Sequence, residues 1–197
     1  MTAEGALLET LRSSGALKEG HFLLSSGRHS DRYVEKFDLL RQPAAASAAC
    51  RLIADAFRDR GIDVVVGPTT GGIILAFEIA RQLGVSAAYA ERADDGKSVR
   101  EFRRGTTFVP GASVLVVDDI LTTGGSLRET LLALAKHPVK VVASAVLVDR
   151  SSDDLDLGTP LFSLARMEIP SWEPDACPLC AAGLPVAKPG TTPGLPT

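Results

Sequence analysis

The chain has 197 residues, 45% of them hydrophobic, with 21 Lys+Arg against 24 Asp+Glu and a formal net charge of -3. That length holds one full core, and the interspersed charges leave neither a basic stripe for nucleic acid nor a polybasic patch for a membrane. No apolar run approaches the roughly 20 residues that span a bilayer, and the opening MTAEGALLET lacks the basic-then-apolar order of a signal peptide. A cytoplasmic chain acting on a small molecule is expected.

Residues Ala3 to Ser14 set Leu7, Leu8 and Leu11 on one helical face, and Gly15 suits the end of that helix. Gly20 to Leu24 reads as a strand, Ser25 to Ser30 as a basic, hydroxyl-rich turn, and Tyr33 to Phe37 as the return strand. Pro43 suits the first turn of a second helix, whose Ala45, Ala49, Leu52, Ile53, Ala56 and Phe57 keep the 3.6 period as far as Gly61. Strand and helix then alternate. Ile62 to Val66 is a strand, Gly71-Gly72 opens a helix with Ile73, Ile74, Phe77, Ala80 and Leu83 inward, and Ser86 to Ala90 is the next strand. Such βαβ alternation predicts an α/β fold with a mostly parallel sheet and right-handed crossovers. A charged connection from Glu91 to Gly105 leads to strand Val114 to Val117, a helix from about Gly125 to Lys136, a strong strand Lys140 to Val148, and an edge strand Leu161 to Glu168.

The stretch VLVVDDILTTGGS, Val114 to Ser126, carries the chemistry. Four apolar residues fit a strand covered on both faces, and Asp118 and Asp119 stand at its carboxyl end. Thr122-Thr123-Gly124-Gly125-Ser126 lets the backbone turn tightly and aim N–H groups at one point as a helix begins. A helix N-terminus with added hydroxyls favours a dianionic phosphate, while the acids can grip vicinal hydroxyls or a hydrated Mg²⁺. The site therefore wants a sugar phosphate. No Lys follows the glycines as in a P-loop, and the spacing is not GxGxxG; the plainer alternative is an ordinary capped strand-to-helix turn.

Three further loops should meet the cradle at the strand ends. Gly67-Pro68-Thr69-Thr70-Gly71-Gly72 can bring main-chain amides to an anion, or simply cap a helix. Glu91 to Gly105 carries Arg92, Lys97, Arg100, Arg103 and Arg104 among four acids; it reads as a solvated hairpin or, given its length, as a binding lid. Arg150, ending its strand, can hold a carboxylate or ring carbonyl bidentately, or pair at the surface with Asp149 or Asp153.

Beyond these local readings, VLVVDDILTTGGS resembles the phosphoribosyl pyrophosphate (PRPP) motif of the type I phosphoribosyltransferases. HFLLSSGRHSDRYVEKF, GPTTGG, LVDR and EIPSWEPDACPLCAAGLP make the chain most similar to the orotate phosphoribosyltransferase family, bacterial branch. The resemblance implies the type I phosphoribosyltransferase fold over residues 1–186, with a core of about 41–154, a small hood from about 1–40 and 155–186, and a flexible Pro/Gly-rich tail over 187–197. It implies Mg²⁺-dependent transfer of phosphoribose from PRPP to orotate by a cytoplasmic homodimer, without nucleic-acid or membrane partners. By motif match Asp118, Asp119, Ile120, Leu121, Thr122, Thr123, Gly124, Gly125 and Ser126 hold the ribose phosphate, and Arg92, Thr70 and Gly71 the pyrophosphate. Thr122, Arg150, Ser26 and Arg28 take orotate. Asp118, Asp119 and Lys97 are the catalytic set, with Arg100 the alternative to Lys97 for leaving-group charge, and Mg²⁺ is held mainly through PRPP, with Asp118 or Asp119 reaching it through water.

Two departures from the family pattern stand out: Gly71 where many members have Lys, and a loop with Lys97 as its only Lys and no His. Rival readings are a phosphoribosyltransferase for a purine or uracil, and a PRPP-binding regulator without turnover. Three cysteines, Cys50, Cys177 and Cys180, are too few for a disulfide framework. Cys177-Pro178-Leu179-Cys180 has metal-ligand spacing, but a structural Zn²⁺ needs four ligands and Cys50 lies in an apolar helix. His21 and His29 could in principle help; a structural turn is the expectation adopted.

Overall fold

The computed structural model describes residues 2–24, 26–93, 99–151 and 155–189. Its main sheet contains β3 (Val64–Pro68), β4 (Ser86–Arg92), β5 (Arg100–Glu101), β6 (Ser113–Leu121), β7 (Lys140–Asp149) and β8 (Leu161–Arg166), in the order β5-β4-β3-β6-β7-β8. Every neighbouring pair is parallel except β4 with β5. The chain runs outward from β3 to β4, then returns to the other side of β3 as β6. Strand order thus reverses between β3 and β6, and the crevice at their carboxyl ends is where such a sheet binds ligands.

Alternation along β6 divides its apolar residues between two cores. Leu115 and Val117 pack with α1 (Ala3–Ser13), α3 (Pro43–Phe57) and α4 (Gly71–Leu83), while Val114 and Val116 face α5 (Gly125–Leu134) through Leu127 and Leu134. Each fully buried Leu or Ile contributes about 1.5–3 kcal/mol. The α1 helix starts at Thr2, whose hydroxyl accepts from the Gly5 amide at 3.1 Å, and buries Leu7 and Leu11 in the larger core. It therefore belongs with the sheet rather than with the hood.

Several elements depart from the sequence reading. The hairpin pairs β1 (Leu17–Leu23) with β2 (His29–Val34), and Phe37 lies in a short helix, α2 (Lys36–Leu40), not in the return strand. Glu35 ends the strand by accepting from the Phe37 amide at 3.2 Å, a cap that competes with further pairing. In α4 the inward residues are Leu75, Ala76, Ile79 and Ala80; Ile74 and Phe77 are exposed. That helix is apolar on nearly every side, so periodicity alone does not choose its face. In α3 Ala46, Cys50 and Ala54 are buried, whereas Ala56 is exposed. Ala187, placed by sequence in the tail, pairs with the hairpin: the Leu23 amide donates to its carbonyl at 2.9 Å and its amide donates to the His21 carbonyl at 2.8 Å. The rest of the tail, residues 190–197, lies outside the described residues. Among those described, no helix is long and apolar enough to cross a membrane.

A polar joint locks α3 to α4. Ser47 donates to Glu78 Oε1 at 2.6 Å, Gln82 donates to the same oxygen at 2.7 Å and to the Ser47 carbonyl at 3.0 Å, and Arg81 grips both carboxylate oxygens at 2.8 Å. Arg81, with help from Ser47 and Gln82, draws the Glu78 pKa down from 4.5 to about 2. A lowered carboxylate pKa stabilises the fold above the unfolded value, and that contribution is lost as pH falls through the folded one. Glu78→Gln should cost about 1 kcal/mol at pH 7, and the gap to wild type should close as urea melts are moved from pH 4.5 toward 2. A gap that stays constant over that range would show that the ion pair is not its source.

Candidate active site

Asp118 and Asp119 end the central strand at the crevice, and both are buried. Each carboxylate accepts from the amide that follows it: Asp119 N–H donates to Asp118 Oδ1 at 2.9 Å and Ile120 N–H to Asp119 Oδ1 at 2.8 Å. Burial, and then repulsion from Asp119, raise the Asp118 pKa from 3.8 to about 7. Asp119 has a cation that the sequence reading missed. Lys36 Nζ lies 3.0 Å from each of its oxygens, but only Oδ1 accepts its hydrogen bond, and Oδ2 is left buried without one.

The departure at Gly71 has its physical reason here. A Cβ on Gly71 would sit 2.0 Å from Asp119 Oδ2 and 3.2 Å from Leu40 Cδ1. Only a residue with no side chain lets the turn after β3 approach the acid so closely. Lys36 supplies an ammonium beside that acid from another part of the chain. Gly67 and Gly72 are held as tightly, since a Cβ on Gly67 would meet the Gly72 carbonyl oxygen at 2.1 Å.

Beyond the acids, the chain turns through Thr122 and Thr123 into α5, with Gly124 left-handed at φ 76°. Arg128 Nη1 donates to the Thr123 carbonyl at 2.7 Å and braces the back of the turn. Among the described residues nothing accepts from the main-chain amides of Thr123 and Gly124, and no side chain caps the helix. These donors face a cleft of about 230 Å³ lined by Arg92, Asp118 and the residues from Ile120 to Leu127 together with Glu129. Free amides at a helix N-terminus, two hydroxyls and an arginine make an anion site. Thr70 lies at the start of α4 without capping it.

Ile120, Thr122 and Thr123 are shared with a second cleft of about 850 Å³, which Ser26, Tyr33, Lys36, Asp119, Arg150 and Lys188 also line. Arg150 Nε is buried there without a hydrogen-bond partner. Desolvation lowers the guanidinium pKa, partly offset by Tyr33. The alternative pairing with Asp149 does not form, because Asp149 Oδ1 accepts instead from the Ser151 amide at 2.8 Å and hydroxyl at 2.6 Å; Asp153 lies outside the described residues. Burial also raises the Tyr33 pKa, which keeps its phenol a neutral donor.

Two arginines do other work than expected. Arg28, expected at the base, turns to the C-terminal segment: Nε donates to the Ser171 hydroxyl at 2.9 Å, Nη2 to the Ser171 carbonyl at 2.7 Å, and Nη1 pairs with Glu173. Arg100, considered for leaving-group charge, is only 2% exposed; it donates to Glu129 at 3.1 Å, to Thr69 Oγ1 at 3.0 Å and to the Ala90 carbonyl at 3.1 Å. It ties the root of the charged loop to the turn after β3. Lys97 lies outside the described residues.

With this geometry in view, comparison with known proteins gives a consistent result. Residues 37–172 match the phosphoribosyl transferase domain. The orotate phosphoribosyltransferase of Caldicellulosiruptor bescii is 44% identical over 94% of this chain and 96% of its own. The chain belongs to the orotate phosphoribosyltransferase family. A second member, from Chlorobaculum parvum, is also 44% identical, over 93% of this chain and 94% of its own. The crystal structure of orotate phosphoribosyltransferase from Aeropyrum pernix superposes with a TM-score of 0.71 at 30% identity, covering 82% of this chain and 94% of that one. The type I phosphoribosyltransferase fold expected from the motifs is the fold observed.

The buried Asp118 generates a pH dependence of stability. A carboxylate pKa raised on folding leaves its stabilising contribution intact below the unfolded value and removes it as pH rises through the folded one. In ligand-free protein, Asp118→Asn should match wild type near pH 4 and exceed it above about pH 7, by about 1–2 kcal/mol or roughly 3–6 °C. Thermal melts at the two pH values decide it; an equal shift at both would mean that the buried charge is not responsible.

Proposed function

We infer that this chain transfers the phosphoribosyl group of PRPP to orotate, giving orotidine 5'-monophosphate and pyrophosphate in de novo pyrimidine synthesis. The observation that carries the choice of base is Arg150, a buried guanidinium with an unpartnered Nε–H, facing a cleft that shares Thr122 and Thr123 with the anion site. Orotate offers a carboxylate and ring carbonyls, the acceptors a planar guanidinium holds best. An uncharged base would leave the site's desolvated charge without a counterpart.

In this reading the 5-phosphate accepts from the amides and hydroxyls between Thr122 and Ser126, while Asp118 and Asp119 take the ribose hydroxyls. The bond from the anomeric carbon to pyrophosphate breaks as the bond to a ring nitrogen of orotate forms, through a sugar with oxocarbenium character. The protein's task is to hold base and sugar in line and to balance charge on the departing pyrophosphate, with little proton transfer. Arg92, Thr70 and Gly71 are assigned to that side together with Lys36, and Lys97 is the loop residue assigned to the leaving group. Ser26 and Tyr33 complete the base wall with Thr122.

A hard divalent cation fits the donors present: two adjacent carboxylates, one with an oxygen that accepts no hydrogen bond, beside a site for substrate phosphates. We propose Mg²⁺, held mainly by PRPP with Asp118 or Asp119 reaching it through water; when bound it adds positive charge near the pyrophosphate. We further propose a homodimer. Its support is the exposure of Ile74 and Phe77, one turn apart on α4, and of Phe37 on α2, a helix that touches α4. A cytoplasmic location accords with free thiols at Cys50, Cys177 and Cys180.

Purified protein given PRPP, Mg²⁺ and, in separate reactions, orotate, uracil, hypoxanthine or adenine should consume orotate alone, with one pyrophosphate released per base. Arg150→Ala should lower kcat/KM for orotate by about 100-fold. Loss of another base with orotate untouched would overturn the assignment; salt-dependent nucleic-acid binding with no turnover would point to a regulator.

The loop assignment has its own test. Lys97→Ala should reduce kcat by about 10-fold or more, while Arg104→Ala should change it little, because Arg104 forms a surface pair in which Nε donates to Glu91 at 2.7 Å. Equal, negligible losses in single-turnover assays of both variants would remove the loop from the mechanism.

A further inference from the structure

Away from the catalytic cleft, four side chains from the two ends of the chain converge. His21 and His29 come from opposite strands of the β1–β2 hairpin, and Cys177 and Cys180 from either end of the short turn Cys177-Pro178-Leu179-Cys180. One ligand atom from each lies within 4.8 Å of all the others. His21, His29 and Cys177 are buried, and Cys180 is at the surface. The expectation of a plain structural turn rested on finding too few ligands nearby in sequence. The missing two are the hairpin histidines, more than 140 residues away.

We propose that these four side chains form a tetrahedral Zn²⁺ site through His21 Nε2, His29 Nδ1, Cys177 Sγ and Cys180 Sγ. Zinc bonds of about 2.0–2.1 Å to nitrogen and 2.3 Å to sulfur require tetrahedron edges of about 3.3 Å between nitrogens and 3.6 Å from nitrogen to sulfur. The structure has 2.9 Å between the two imidazole nitrogens, 3.5 Å from Cys177 Sγ to His21, 3.7 Å from Cys180 Sγ to His21, and 3.2 Å from Cys180 Sγ to His29. These four edges lie within about 0.4 Å of the ideal values, and the remaining two, from Cys177 Sγ to His29 and to Cys180, are no longer than 4.8 Å.

The orientation of His21 points the same way. Its Nδ1 lies 2.9 Å from the Leu184 carbonyl, which can only accept, so Nδ1 carries the proton and Nε2 presents a lone pair to the cluster. In the metal-free protein His29 Nδ1–H donates to that lone pair; on metal binding His29 takes the other tautomer and both thiols lose their protons. Two sulfurs and two imidazoles favour zinc over the hard cation suited to the carboxylates of the active site.

The site also has a structural task. His29 exchanges main-chain hydrogen bonds with Trp172 at 2.8 and 2.9 Å, and Ala187 pairs with His21 and Leu23, so the C-terminal segment crosses the hairpin on both sides of the cluster. The same hairpin brings Ser26 and Tyr33 to the base cleft, and the segment beyond Ala187 brings Lys188. Zinc would clamp the two halves of that wall together.

The test is metal analysis of untagged protein purified under reducing conditions without chelator. One zinc per chain is expected, kept in Cys50→Ser and lost in Cys177→Ser/Cys180→Ser. Should the double variant fail to fold, titration of intact wild type with a mercurial should release one zinc per chain to a metallochromic dye. Co²⁺-reconstituted wild type should show visible d–d bands and a thiolate charge-transfer band. Trace metal only, with no cobalt bands in the reduced protein, would overturn the proposal, as would a Cys177–Cys180 disulfide in freshly purified protein or zinc retained in a folded double variant.

Discussion

Asp119 occupies a narrow place: the end of the central strand, with Lys36 on one oxygen and the backbone of Gly71 against the other. Two adjacent carboxylates buried at a strand end repel each other and resist desolvation. The surrounding residues answer this with the amides of Asp119 and Ile120 and with the Lys36 ammonium, while leaving one oxygen of Asp119 without a hydrogen bond. The glycine turn after β3, the helix that delivers Lys36 and the start of α5 are all placed by what they must do around that pair. A site with charge held in reserve suits a substrate that brings both hydroxyls and a divalent cation.

The parts of this arrangement legible in the sequence are those encoded over a few consecutive residues. The cradle from Asp118 to Ser126 combines an apolar strand, two acids and small turn residues, and each local preference agrees with the final structure. The order of strands and helices was legible for the same reason. Where the outcome depends on residues far apart, local reasoning chose wrongly or was silent. Arg28 sits in a basic turn that suggests a ligand, yet Ser171 and Glu173 claim it from 143 and 145 residues away. Arg100 looked like one of several loop cations until burial joined it to Thr69 and Glu129. Lys36 gives no local signal of its role, although its place as the first residue of a helix capped by Glu35 could have drawn attention to the chain's exit from the hairpin. The outward face of α4 was misread because Ile74 and Phe77 satisfy the helical period as well as Leu75 and Ile79 do.

Arg100 shows how separate loops share one site. Its guanidinium reaches the turn after β3 through Thr69, strand β4 through Ala90 and helix α5 through Glu129. The turn assigned to pyrophosphate, the root of the charged loop and the helix behind the phosphate cradle are thereby joined through one buried cation.

The hairpin that forms one wall of the larger cleft precedes the sheet strands in the chain, while the segment that covers it, Pro170 to Ala187, follows them. The sheet strands from β3 to β7 lie between them and can assemble on the ribosome before the tail emerges. Until then the hairpin lacks the C-terminal pairing that Trp172 and Ala187 give to His29, His21 and Leu23. The order of synthesis thus lets the crevice at the ends of β3 and β6 form before the hairpin wall of the larger cleft is closed.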